Sequence, residues 1–302
     1  MRTLTRCADR SPQVTGAVGL TVCQLLDRNL WLTVVVVQVI EVRELPDAFA
    51  DYAVEVTGPT AADRLACRLR EHGLATFGGV SDRGAATRLA QQVMDVWPHR
   101  DSEPDSVTVV ADRGDLSRTP GMAGFGHDGL DLHTESSTVA YPPQLMMLAC
   151  VTAASEGGAC VLADGHLVYQ RVSEQQPELL ELLCAPRSVL FGGASGHLAS
   201  VFGAGEDGRV TVRLRTDALA RFSPQLTYRL SELQRMVRDC AITIELGPGQ
   251  GYMLCNTRWL HGRSAFAGQR RMYRILGNPL PTLDIPAGFN PLPSPRSQRI
   301  NA

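Results

Sequence analysis

The chain has 302 residues, of which 44% are hydrophobic and 20% are charged, so it can form one large domain or two small ones with a sizeable core. Its formal net charge is −2, and it contains no lysine, so all 29 basic residues are arginine. A chain of this charge lacks the electrostatic footprint of a nucleic-acid-binding protein, and we predict no nucleic-acid partner. The absence of lysine is typical of a GC-rich genome.

Residues 1–47 precede the first recognisable helix and are predicted to be an N-terminal extension, either an accessory strand or a partly disordered segment. Their most apolar run, residues 30–40, is β-branched and reads as a strand. It is too short for a bilayer, which needs about 20 residues, and too far from Met1 for a signal peptide. The eight cysteines include no CxxC pair, which favours free thiols in a reducing compartment. We therefore predict a cytoplasmic protein without a membrane partner.

Two amphipathic helices are predicted next. The first covers residues 58–73, with leucines at helical spacing, Thr60 as the N-cap and Gly73 as the stop. A short strand follows at residues 74–80. The second helix covers residues 81–97 and is ended by the proline that follows.

From about residue 107 onward the pattern is mostly that of short strands separated by Gly, Pro and Asp. The predicted strands lie at residues 107–112, 130–136, 144–151, 159–164, 188–193, 210–215, 241–246 and 251–256. One helix interrupts them at residues 223–240, with Ser223 as its cap and Pro224 at its first position. The order predicts a mainly β fold with flanking helices, a sandwich or jelly roll, over residues 48–302.

Two histidines are followed by an acidic residue two positions later, His133 by Glu135 and His99 by Asp101. Residues i and i+2 of a strand point to the same face, so either pair could bind one metal ion. The segment around His99 is acidic and broken by prolines, and we interpret it as a solvated loop. His133 follows alternating leucines at a strand end, which favours a rigid metal site there. An ordinary surface strand with two polar residues is the alternative.

A third ligand would complete a 2-His-1-carboxylate triad, the arrangement expected of non-haem Fe(II) oxygenases. His261 is the candidate because it follows the strand predicted at residues 251–256. Arg270 and Arg274 come after it, and a guanidinium binds a carboxylate through two parallel hydrogen bonds. The alternative is a basic edge strand in a chain that uses arginine as its only strong base.

Five segments occur in the order found in one known family: LHTES, GGACVLADG, PGQGYMLCN, WLHGRSAF and RRMYR. In this order they resemble the taurine dioxygenase and clavaminate synthase-like family of Fe(II)- and 2-oxoglutarate-dependent oxygenases. The resemblance covers residues 62–280. It implies a double-stranded β-helix (jelly-roll) core, with Fe(II), 2-oxoglutarate and O2 as cofactor and cosubstrates.

The resemblance also implies roles for individual residues. The implied iron ligands are His133, Glu135 and His261. Arg270, with its neighbour Arg271 as the alternative, matches the arginine that holds the distal carboxylate of 2-oxoglutarate. Cys160 stands where relatives usually have a threonine that helps to bind this cosubstrate. Arg274 matches a second arginine, which in relatives often meets an acidic group of the substrate.

The glycine-rich segment before the metal motif and the two serines after it are expected to face the substrate. The expected substrate-binding residues are Phe125, Asp131, Ser136, Ser137 and Arg274.

The expected function is hydroxylation of an unactivated C–H bond of an amino acid or peptide-derived substrate, in bacterial specialised (natural-product) metabolism. Two alternatives stay open. A zinc-dependent hydrolase could use the same triad, because two histidines and a carboxylate also suit Zn²⁺ with an open position. A jelly-roll binding protein could keep the fold without catalysis. The sequence predicts no oligomeric state.

Overall fold

The computed structural model describes residues 47–193 and 196–291. The N-terminal extension, apart from Asp47, lies outside the described residues, and so does the strand predicted at residues 30–40. The six cysteines in the described part of the chain are all free thiols.

Five α-helices, seventeen strands and five short 3-10 helices lie in the described part of the chain. The helices are α1 Ala61–His72, α2 Arg83–Gln91, α3 Gly165–Gln175, α4 Pro177–Cys184 and α5 Pro224–Asp239. The strands are β1 Leu74–Phe77, β2 Met94–Trp97, β3 Thr108–Ala111, β4 Leu130–His133, β5 Leu145–Thr152, β6 Glu156–Gly157, β7 Cys160–Asp164, β8 Val189–Phe191, β9 His197–Ala199, β10 Phe202–Ala204, β11 Val210–Val212, β12 Ala220–Phe222, β13 Ala241–Ile244, β14 Gly251–Cys255, β15 Trp259–Arg263, β16 Phe266–Ala267 and β17 Arg271–Pro279.

Two antiparallel sheets form the core of the fold. The larger has the order β1-β14-β5-β17-β2, with β3 also paired to β17, and the smaller has the order β13-β7-β15-β4. Neighbours in these sheets come from distant parts of the chain, as in a jelly roll rather than a meander. The predicted class, mainly β with flanking helices and a jelly-roll core, is confirmed.

Strand β5 shows why the larger sheet is buried on both sides. Its residues alternate between two clusters, so Met146 and Leu148 face the smaller sheet while Met147 and Ala149 face α1 and α2. A strand covered on both faces reads as a continuous apolar run, which is how LMMLAC appears in the sequence. The inter-sheet cluster also includes Cys160 of β7, and it forms the wall behind the cavity described below.

Of the two helices predicted near the N-terminus, the structure contains the first as expected and a shorter form of the second. Helix α1 lies where it was expected, and Gly73 ends it in the left-handed conformation at φ 68°. The prediction of one helix over residues 81–97 is wrong at its C-terminal end. Helix α2 stops at Gln91, and Met94–Trp97 forms edge strand β2, paired with the end of β17. Over four residues, the apolar pattern of Met94–Trp97 fits both the period of a helix and that of a strand. Pairing with β17 determines that this segment is a strand.

The prediction of a single helical insertion among the strands is also wrong, because α3 and α4 lie between β7 and β8. Asp164 caps α3 by accepting a hydrogen bond from the backbone N–H of His166 (2.9 Å). The same carboxylate forms a two-pronged ion pair with Arg258 (3.0 and 2.7 Å). Helix α4 begins with Pro177 at its first position, and both helices pack against α5.

Candidate active site

Two histidines meet across neighbouring strands of the smaller sheet. His133 ends β4 and is the direct partner of His261 on β15, with ring centroids 4.3 Å apart. The Nδ1 of His133 lies 2.8 Å from the carbonyl oxygen of Asp131, which can only accept, so this nitrogen carries the proton. The Nε2 of His133 is thereby left with its lone pair available for a metal ion.

Glu135 lies in the turn that follows β4, and Asn256 holds its backbone. The N–H of Glu135 donates to Oδ1 of Asn256 (2.7 Å), and Nδ2 of Asn256 donates to the carbonyls of Glu135 (3.0 Å) and Pro143 (2.8 Å). Asn256 is 1% exposed and directly follows β14 of the larger sheet. The carboxylate ligand is therefore positioned from both sheets. Sequence reasoning assigned no role to Asn256, although it belongs to the matched segment PGQGYMLCN.

The nitrogen and oxygen donors of His133, Glu135 and His261 all lie within 4.8 Å of one another, and no other such group occurs within the described ranges. Burial lowers the pKa of both imidazoles, which keeps them neutral and able to donate a lone pair. Burial alone would raise the pKa of Glu135, but the positive charge of Arg274 holds it well below its usual range. Two neutral imidazoles and one carboxylate suit a divalent iron ion.

Arg274 lies beside the candidate metal centre. Its Nη1 donates to Oε2 of Glu135 (2.7 Å), and its Nη2 lies 3.4 Å from Nδ1 of His99. The side chains of His99 and Asp101 are only 16% and 14% exposed, and both line the same cavity as Glu135. The prediction of a solvated loop therefore holds for the exposed residues 103–105 but is wrong for His99 and Asp101. Prolines and acids there indicated exposure, but the contact with Arg274 of β17 buries the histidine.

Arg270 lies at the inner end of the cavity and is 8% exposed. Its Nη2 lies 3.7 Å from Sγ of Cys160, and its guanidinium carbon lies 5.8 Å from the centre of the Phe266 ring. Arg271, the first residue of β17, is exposed and does not line the cavity. Of the two neighbouring arginines, Arg270 therefore faces the candidate metal centre.

A cavity of about 480 Å³ joins these groups. The predicted site residues that line it are Phe125, Asp131, His133, Glu135, Ser136, His261, Arg270 and Arg274. Cys160 lies behind Arg270 rather than in the lining, and Ser137 is fully buried outside the lining. The structure therefore brings eight of the ten predicted site residues to one cavity and places the other two beside it.

Arg263 forms hydrogen bonds with the segment at residues 121–129, which is part of the cavity wall. Its Nη1 donates to the carbonyl of Gly124 (3.3 Å), and its Nη2 donates to those of Gly126 (2.7 Å) and Asp128 (2.6 Å). Burial lowers the pKa of Arg263 to about 10, and the nearby charge of Arg270 acts in the same direction. Arg263 belongs to the matched segment WLHGRSAF, but its role could not be predicted because it depends on backbone carbonyls that no sequence motif shows.

Two histidines on neighbouring strands and a carboxylate in the turn that follows form the donor set of mononuclear non-haem iron oxygenases. Comparison with known families agrees. The chain belongs to the family described as taurine catabolism dioxygenase TauD, TfdA family, whose profile matches residues 41–276. Membership confirms the expected class of enzyme, a 2-oxoglutarate-dependent dioxygenase that uses Fe(II) and O2.

Individual relatives are distant. The chain is 25% identical to a uridine-5'-phosphate dioxygenase of Streptomyces sp over 203 residues, 59% of this chain and 69% of that protein. It is 25% identical to the mitochondrial trimethyllysine dioxygenase of Gallus gallus over 179 residues, 52% of this chain. The match spans 42% of the length of the Gallus gallus protein.

Among solved structures, an asparagine oxygenase in complex with Fe(II), 2S,3S-3-hydroxyasparagine and succinate is similar. The TM-score is 0.60 at 20% identity, covering 72% of this chain and 79% of that chain. This likeness confirms the jelly-roll fold. Within the part of the chain that the structure describes, no helix has the length and apolar character needed to cross a bilayer.

Proposed function

We propose that this protein uses Fe(II), 2-oxoglutarate and O2 to hydroxylate an unactivated C–H bond of an amino acid or a peptide-derived small molecule, in bacterial specialised metabolism. The observation that carries the proposal is the cluster of His133, Glu135 and His261, whose donor atoms lie within 4.8 Å of one another on a large cavity. Two similar proteins have names that point to amino acids, trimethyllysine dioxygenase and asparagine oxygenase.

The residues that line the cavity have separate roles in the proposed reaction. His133, Glu135 and His261 would hold the iron ion. Bound iron and 2-oxoglutarate together supply the oxidising chemistry that inserts one oxygen atom into the substrate. Arg270 would bind the distal carboxylate of the cosubstrate, since no carboxylate in the described residues forms an ion pair with it. The walls exclude water and fix which substrate carbon lies near the metal.

The charged residues of the cavity lining suit a zwitterionic substrate, which carries both an ammonium group and a carboxylate. Asp131 lies two residues before His133 on the same strand face. Within the described part of the chain, its carboxylate accepts one side-chain hydrogen bond, from Thr216 (3.4 Å). Its carboxylate would receive the substrate ammonium group. Arg274 would contact the substrate carboxylate, while Ser136 and Phe125 complete the wall. A role for Ser137 would be indirect, through the turn that carries Glu135.

An anaerobic visible spectrum tests the proposal. Purified protein would receive Fe(II) and then 2-oxoglutarate, and we expect a metal-to-ligand charge-transfer band. Glu135→Ala should lose the band because it removes a metal ligand. Arg270→Ala should require much more 2-oxoglutarate, whereas Arg271→Ala, a matched change at the exposed neighbour, should titrate like the wild type.

A wild-type protein that shows no band at saturating cosubstrate would overturn the proposal and favour the zinc hydrolase or the binding protein. If the band forms, the substrate class is tested by succinate release in air with single amino acids and short peptides. Release above the uncoupled rate with an amino acid supports the class. A panel with no such stimulation would contradict it.

A further inference from the structure

The inner end of the cavity contains a cluster of three polar side chains from three different parts of the sandwich. Arg270 directly precedes β17, Cys160 begins β7, and Tyr252 lies on β14. Tyr252 is only 1% exposed, yet it lines the cavity together with Arg270. Its phenol therefore lies within the protein at the place where the cosubstrate would end.

The sulfur of Cys160 joins the other two groups. Nη2 of Arg270 lies 3.7 Å from Sγ, and Tyr252 belongs to the same inter-sheet cluster as Cys160. Burial raises the pKa of both Tyr252 and Cys160, so both remain protonated and neutral at neutral pH. Sulfur is a weak acceptor, so Cys160 offers only a weak partner to the guanidinium and to the phenol beside it.

Arg270 forms no ion pair with a carboxylate anywhere in the described ranges. A buried guanidinium without an anion is costly, and a ligand carboxylate at this point would relieve that cost. A carboxylate has about four acceptor sites, more than one guanidinium fills. The remaining acceptor sites can take further hydrogen bonds, and the phenol of Tyr252 can donate one without adding a charge.

We propose that the hydroxyl of Tyr252 is the second protein donor to the distal carboxylate of 2-oxoglutarate, beside Arg270. Cys160 is a positioning residue in this arrangement, since it lies against both donors and does not line the cavity. The inference rests on the proposed function, because it concerns the cosubstrate of that reaction. It also gives the thiol a role that does not require it to donate to the ligand.

The test is Tyr252→Phe, which removes one hydroxyl and keeps the ring. Anaerobic titration of the Fe(II) protein with 2-oxoglutarate gives Kd from the charge-transfer band, and we expect Kd to rise about tenfold, the value of one hydrogen bond to a charged group. Tyr169→Phe is the matched control. Tyr169 is also partly buried, but it packs against Phe202 and Phe289, and its Kd should equal that of the wild type.

A second ligand separates binding from a structural effect. 2-Oxopentanoate has a methyl group where 2-oxoglutarate has its distal carboxylate, so Tyr252→Phe should leave its Kd unchanged. In the Cys160→Thr background, a new hydroxyl should make the effect of Tyr252→Phe smaller.

Equal 2-oxoglutarate Kd values for the wild type and Tyr252→Phe would overturn the inference, and so would an equal weakening for both ligands. A wild type without any charge-transfer band would instead contradict the proposed function, so the two failures are distinguishable.

Discussion

At the scale of single residues, the site depends on groups that position the metal ligands. Glu135 lies outside any strand, so the strand geometry that aligns the two histidines does not fix it. Asn256 supplies the missing constraint through three hydrogen bonds, two of them to the backbone of Glu135. A buried amide that satisfies several backbone groups leaves them all unpaired when it is removed.

We therefore expect Asn256→Ala to weaken Fe(II) binding about 10- to 100-fold, as is typical for partners of metal ligands. The free energy of unfolding should fall by roughly 1–3 kcal/mol. Competition titration with a metal-sensitive dye and urea unfolding measure the two effects. Asn278→Ala is the control, because Asn278 accepts one exposed backbone hydrogen bond from Gln144 (3.2 Å). Unchanged metal affinity in Asn256→Ala would show that the turn holds Glu135 without help.

The sequence was sufficient to single out the three candidate metal ligands. His133 and Glu135 are separated by one residue, and the order of motifs singled out His261 and Arg270. The residues it missed act through space. Asn256, His99 and Tyr252 reach the site from β14 or from a loop beside β17, and their roles require the packing of two sheets.

At the scale of elements, Gly262 allows β4 and β15 to lie close together. A Cβ at this position would lie 2.5 Å from the carbonyl oxygen of Leu130, and the register of the two strands shifts between His261 and Arg263. The glycine therefore lies where the strand that carries one histidine approaches the strand that carries the other.

Gly262→Ala should push β4 away from β15 and separate His133 from His261. We expect a loss of at least tenfold in Fe(II) affinity, because metal ligands tolerate little displacement. Gly78→Ala is the control, since an added Cβ there would meet nothing within 4 Å. Wild-type affinity in Gly262→Ala, measured by the same dye competition, would mean that the strands adjust without moving the ligands.

The cavity wall at residues 121–129 is the second element that depends on one side chain. Arg263→Ala removes three hydrogen bonds to its carbonyls, so hydrogen exchange of this segment should become faster. Mass spectrometry after deuterium labelling resolves the segment. Arg271→Ala, at an exposed arginine, should leave its exchange unchanged. Equal exchange in the Arg263 variant would show that packing alone holds the wall.

Elements with a local signal were predicted well. Helix α1 ends at a glycine and α5 begins with Ser-Pro, and both lie where the sequence placed them. Strand β2 was missed because four residues carry no reliable period, and its identity comes from pairing with β17. Helix α3 was missed because its glycine start and valines are weak helix signals, and its cap Asp164 belongs to the preceding strand.

At the scale of the whole molecule, two apolar layers stabilise different parts of the fold. One lies between the larger sheet and helices α1 and α2, and includes Leu65. The other lies between the two sheets, and includes Leu162, the strand partner of His261. Both leucines are fully buried, so they form a matched pair.

Leu65→Ala and Leu162→Ala should each lower the free energy of unfolding by about 2–5 kcal/mol, the usual cost of such a cavity. Fe(II) affinity should fall only for Leu162→Ala, because that cavity would open beside His261. Urea unfolding and dye competition report the two quantities separately. An equal fall in affinity for both variants would mean that metal binding follows global stability rather than the inter-sheet layer.

The central claim is that one iron ion lies between His133, Glu135 and His261, with 2-oxoglutarate extending to Arg270. An anaerobic crystal structure with Fe(II) and 2-oxoglutarate, with anomalous data at the iron edge, tests it most directly. The account predicts one anomalous peak bonded to the three side chains and a cosubstrate whose distal carboxylate contacts Arg270. A peak elsewhere, or a cosubstrate that does not reach Arg270, would contradict it.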